Sequence, residues 1–138
     1  MADSIRKVAY CYTKVSSRAG NGAKMLESIK GEDINLLGFS GFPAGGGKSQ
    51  LDFIAENTTE LRRLARKNGW RISKNKKAFL VTGGDSMGAV YRHVKKLADK
   101  KINVTAADAV CAGKGRYGML LWVKPKDYGR AARALKAR

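Results

Sequence analysis

Few residues in this chain are of a type and spacing that could do covalent chemistry. The single histidine, His93, lies among Arg92, Lys95 and Lys96. That setting predicts a solvated side chain and no Ser/His/Asp or Cys/His relay. The two cysteines, Cys11 and Cys111, form no CxxC and sit in apolar, strand-like runs, so buried reduced thiols are expected. Neither is spaced to share a metal with His93. The carboxylates are scattered, with no HExxH or DxDxDG pattern. One acid stands apart. Asp85 falls within Gly83-Gly-Asp-Ser-Met-Gly88, between the apolar run Ala78–Thr82 and a helical stripe at Val90, Val94, Leu97 and Ala98. A strand-to-helix turn of this kind collects free backbone N–H groups at the positive end of a helix, which suits a carboxylate or phosphate. The plainer alternative is that Asp85 or Ser86 only caps the helix. No catalytic residue, cofactor or metal is expected.

Two other segments resemble functional motifs and are set aside on local grounds. Gly45-Gly-Gly-Lys-Ser49 looks like a P-loop, but Phe42 occupies the position of the leading glycine, and Gln50–Ile54 reads as a strand where a helix is required. Lys114-Gly-Arg-Tyr-Gly-Met-Leu-Leu-Trp122 approaches an RNA-recognition signature, but Arg116 interrupts it and Met119 stands where an aromatic would stack. Both are read as hairpin turns, with Lys48, Lys114 and Arg116 as possible anion contacts.

The elements that position these residues follow from the apolar pattern. Strands are predicted over Val8–Thr13, Ile34–Phe39, Leu51–Ala55, Ala78–Thr82, Asn103–Val110 and Met119–Val123, with Trp70–Ser73 as a short additional strand. Glycine-rich turns are predicted over 41–49 and 112–118. Helices are predicted with Leu26 and Ile29; with Leu61 and Leu64, capped by Thr58 or Thr59; over Met87–Lys100; and after Pro125, with Tyr128, Ala132 and Leu135 inward. At 138 residues and 43% hydrophobic, the chain suits one ordinary domain or two very small ones. The opening residues lack a signal-peptide core and no run is long enough to span a membrane, so a soluble cytoplasmic protein is expected. The net charge of +17 favours polyanionic partners. The basic residues lie on helix faces, which leaves two readings: solvated surface or nucleic-acid contact.

A constant spacing of 68 residues links the two halves: Gly20 with Gly88, Leu26 with Val94, Ile34-Asn35 with Ile102-Asn103, and Ala44-Gly45 with Ala112-Gly113. This marks an internal duplication of a β-α-β-β-α unit, residues 5–73 and 74–138. The predicted class is α+β: two ferredoxin-like repeats with antiparallel sheets and helices packed on them. The runs Ala78–Val81 and Met119–Val123 read as continuously apolar, so the second sheet face should also be covered, most simply in a homodimer.

With these residues in hand, the pattern strand–Asp85-Ser-Met-Gly88-Ala89–helix, followed by Ile102-Asn-Val-Thr-Ala106, a glycine turn and an apolar strand, resembles the ACT domain family. The resemblance covers about Phe79–Leu135 and, more weakly, Val8–Ser73. It implies a non-enzymatic regulatory module that binds an amino acid or similar small molecule between modules and acts on a separate effector protein. It also implies a ligand loop of Asp85, Ser86, Met87, Gly88 and Ala89 with Asn103. The matching positions of the first repeat are Ser17, Arg18, Ala19, Gly20 and Asn21 with Asn35. Ser17 stands where the second repeat has its acid, and the second repeat lacks the family's last strand.

Overall fold

The structure, a computed structural model, describes residues 3–138. In chain order the elements are β1 (Ser4–Ser16), α1 (Asn21–Gly31), β2 (Leu36–Gly45), β3 (Lys48–Ala55), α2 (Thr58–Asn68), β4 (Lys76–Gly84), α3 (Ala89–Asp99), β5 (Val104–Gly113), β6 (Arg116–Val123), a 3-10 turn at Pro125–Asp127 and α4 (Tyr128–Leu135). The fold is α+β, and the chain forms two compact units. One is Ala9–Lys76; the other combines residues 3–8 with residues 77–138.

In the first unit β3 lies between β2 and β1, antiparallel to both. Its core is Cys11, Met25, Ile29, Leu51, Phe53, Leu61 and Leu64. In the second, β6 lies between β4 and β5, again antiparallel. Phe79, Val81, Tyr117, Met119, Leu121 and Val123 alternate toward α3 and α4, where they meet Leu97, Tyr128, Ala131 and Leu135. Phe79 stacks on the Tyr128 ring with centroids 4.5 Å apart. Burial alternates only in part along the two apolar runs, because Ala78 and Trp122, on the opposite face, are buried as well. The paired Leu80 and Leu120 on the opposite face are only half-buried.

The duplication is repeated bond for bond in the backbone. Ser17 N–H donates to Gly47 O at 2.9 Å, and Asp85 N–H to Gly115 O at 2.8 Å. Asp33 (φ 56°) and Lys101 (φ 58°) turn left-handed after α1 and α3. Ile34 and Ile102 then donate back to Ile29 O and Leu97 O. Both hairpins turn on two residues with positive φ, Gly46-Gly47 and Lys114-Gly115, the pairing that matches strand twist.

The structure corrects several local expectations. Most of the supposed glycine-rich turns is strand, because β2 runs to Gly45 and β5 to Gly113. Only two residues are needed to reverse the chain. Asn57, not Thr58 or Thr59, caps α2, accepting from Thr59 N–H at 2.9 Å and Glu60 N–H at 3.4 Å. Neither Asp85 nor Ser86 caps α3; the cap position is Gly88 at φ 75°, with no side-chain bond. Trp70–Ser73 is not a strand. It follows β1 through a single backbone bond, Ser73 N–H to Tyr12 O at 2.8 Å, and two side-chain bonds, Thr13 Oγ1 to Arg71 O at 2.7 Å and Tyr12 N–H to Ser73 Oγ at 2.9 Å. In the second unit Arg138 takes the corresponding course, accepting from Lys7 N–H at 2.8 Å and donating to Ile5 O at 2.9 Å. The buried residues of α3 are Ala89, His93 and Leu97; of the predicted stripe only Leu97 is buried, while Val90 and Ala98 are exposed and the histidine expected in solvent lies inside. Cys11 is buried as expected, but Cys111 is exposed because β5 pairs on one side only.

Candidate functional site

β4 delivers the chain at Gly84 to a turn that is pinned at both ends. Asp85 N–H is held by Gly115 O of the β5–β6 hairpin, and Ala89 N–H donates to Ser86 O at 3.1 Å. Gly88 adopts the left-handed conformation that admits a side chain only with strain. α3 then starts with no side-chain cap, which leaves the N–H groups after Ala89 in its first turn to solvent or a ligand. Beside this start lies a cavity of about 310 Å³, lined by Asp85, Ser86, Gly88 and Ala89 of the turn, by Val90 and Tyr91 of α3, by Ala109–Cys111 of β5 and by Tyr117. Its polar anchor is Asp85, whose Oδ2 accepts from the Cys111 thiol at 3.2 Å. That hydrogen bond and the Asp85 charge raise the Cys111 pKa, so the thiol stays protonated.

Four of the five loop residues expected from the sequence therefore share one cavity. Met87 is fully exposed and does not line it. Asn103 lies beyond the other end of α3, about 16 Å of helix away from the turn. It follows the left-handed residue that ends the helix, as Asn35 does in the first unit. Asn35 O accepts from Glu56 N–H at 3.1 Å. Both asparagines thus belong to helix-exit turns. In the first-unit loop, Ser17 Oγ pairs with Ser49 Oγ at 2.9 Å and Asn21 Nδ2 donates to Ser16 O at 2.9 Å. Ala19 and Gly20 are exposed. Lys48 and Arg116 start β3 and β6, and Lys114 sits in the second hairpin turn.

Sequence reasoning missed a second cluster, on the other side of His93. Asp3 Oδ2 accepts from the Tyr117 hydroxyl at 2.7 Å, lies 2.6 Å from His93 Nε2 and is 3.4 Å from Arg92 Nη2. The side chains of Asp3 and His93 are 6% and 3% exposed. Burial alone would raise the Asp3 carboxyl. The hydrogen bonds from Tyr117 and His93, with the charges of His93 and Arg92, outweigh it and hold the group below the usual carboxylate range. Burial first, then the Asp3 carboxylate, push the Tyr117 hydroxyl well above its ordinary value. The Asp3 carboxyl fills the place a side chain at Gly83 would occupy, so the glycine there is a steric requirement. The spacing of Ala89, His93 and Leu97 was a usable signal for a buried histidine. Nothing in the sequence pointed to Asp3, which lies 90 residues from its partner.

No family model matches the chain, and no curated protein does. Solved structures do match. A protein of Bacteroides thetaiotaomicron superposes with a TM-score of 0.76 at 13% identity, over 97% of this chain and 88% of that one. The ligand-free regulatory subunit of aspartate kinase from Thermus thermophilus gives 0.63 at 11%, over 99% and 95%. E. coli aspartokinase III in complex with aspartate and ADP gives 0.53 at 15%, over 97% of this chain and 32% of that one. What is shared is the fold, an α+β arrangement of paired ferredoxin-like repeats.

Proposed function

We propose that this chain is a non-enzymatic regulatory module of the ACT type that binds an amino acid or a similarly small zwitterion at the start of α3. The observation that carries the reading is the cavity of about 310 Å³ where a carboxylate, Asp85, and the uncapped N–H groups of a helix lie side by side. A free amino acid has the complementary pair of charges. Its carboxylate suits the helix N–H groups and its amine suits Asp85, while Val90, Tyr91 and Val110 offer an apolar wall to its side chain. The likeness in fold to aspartate kinase regulatory subunits supports the same reading. The module acts as a homodimer on a separate effector. β5 is an edge strand exposed over nearly its whole length, Val110 is 69% exposed, and no lysine, arginine or proline guards it, a surface that ordinarily pairs with another chain.

The test is thermal unfolding of the pure protein against each free amino acid at moderate salt. A ligand at ~100 times its Kd adds about 2.7 kcal/mol, and Asp85→Ala should abolish that rise while leaving the fold intact. No rise with any amino acid would overturn the proposal. Steeply salt-dependent RNA binding in its place would identify the basic helix faces as the working surface.

A further inference from the structure

The second unit has another cavity, of about 540 Å³, which the amino-acid reading does not use. Two elements line it with cations: Arg92 and Lys96 from α3, Lys136 and Arg138 from the segment after α4. Against these stands one side-chain carboxylate, Asp3, already engaged by Tyr117 and His93 and ion-paired with Arg92 at 3.4 Å. No ion pair involves Lys96, Lys136 or Arg138 among the described residues. Arg92 is steered toward the cavity by Asp3 and by Ser86 Oγ, at 3.4 and 3.5 Å. At the end of α4, two of the last carbonyls, Arg133 O and Ala132 O, accept from Lys136 and Ala137 N–H.

Four like charges around one recess repel one another, and a bound anion would relieve that repulsion. A single carboxylate would neutralise one of them. A diphosphate presents several oxygens over a span that two facing cation pairs can share, and its geometry suits the arginine fork. We propose that this cavity binds a small molecule through a diphosphate-type group, held by Arg92 and Lys96 on one side and Lys136 and Arg138 on the other.

His93 gives the test its specificity, because it is the only histidine in the chain and lines the cavity. Its imidazole proton signals should shift and saturate as inorganic pyrophosphate is titrated at constant ionic strength. Lys96→Gln with Arg138→Gln, both exposed side chains, should weaken that binding by about tenfold or more. Lys24→Gln with Lys30→Gln removes the same charge from α1 and should leave it unchanged. Asp85→Ala should also leave it unchanged, which separates this site from the proposed amino-acid site. Histidine signals that do not respond, or equal weakening by the two lysine-bearing pairs, would overturn the proposal and reduce the effect to general attraction by a basic protein.

Discussion

Replacing Gly83 by alanine should be far more damaging than its strand position suggests. An ideal Cβ at this residue would collide with Asp3 Oδ1 and lie 3.1 Å from Tyr117 Cε1. β4 is held to β6 on both sides of the position, through Thr82 opposite Gly118 and Gly84 opposite Arg116, so the carboxyl must move rather than the strand. Two charge-assisted bonds are then lost, to His93 at 2.6 Å and Tyr117 at 2.7 Å. Each contributes roughly 1.5–3 kcal/mol. Discounting for water that can reach the displaced groups, the loss should be about 3 kcal/mol, or roughly 8 °C in Tm for a chain of this size. Urea and thermal unfolding of Gly83→Ala, Asp3→Ala and the double variant form a cycle that isolates the shared term. With Asp3 absent, Gly83→Ala should cost under about 1 kcal/mol, the residue of the Tyr117 contact. A full-sized cost in the Asp3→Ala background would refute the steric argument.

The Asp3 carboxyl is held below its usual range, so its contribution to stability is present above the ordinary carboxylate pKa and is lost as pH falls through the lowered folded value. Asp3→Asn should therefore be less stable than the parent at pH 7, and the gap should narrow below about pH 4. Urea midpoints at pH 7, 5 and 3 check this, and a constant gap would contradict it. Cys111 is exposed and protonated beside Asp85, whereas Cys11 is buried. One thiol should thus react slowly with iodoacetamide at neutral pH, faster in Asp85→Asn, and more slowly again when the α3 cavity is filled; mass spectrometry of the alkylated cysteine reads all three.

The duplication was legible because backbone rules leave marks on composition. Glycines at 20 and 88, and Ile-Asn at 34–35 and 102–103, mark left-handed or tight positions that both units need. The Asp85 turn was visible for the same reason. Where expectation failed, a distant partner decided. His93 sits in a basic stretch, yet two long-range polar contacts, to Asp3 and Tyr117, offset its burial. Cys111 lies in an apolar run, yet its strand has a neighbour on one side only. Asn57 outcompeted the threonines as cap because its side-chain oxygen reaches two N–H groups at once. Windowed patterns cannot register a partner 90 or 114 residues away.

β1 is divided between the two units, residues 3–8 belonging to one and the remainder to the other. Synthesis proceeds from the N-terminal side, so the unit of residues 9–76 can close as soon as it has emerged from the ribosome. Asp3 and Ile5 precede that unit in the sequence, but their partners His93, Tyr117 and Arg138 follow it. The second unit is therefore discontinuous in sequence, and its loop closure spans the whole of the first. A circular permutant that carries residues 3–8 after residue 138 would make those contacts local, and the order in which the two units mature would no longer be dictated by the gene.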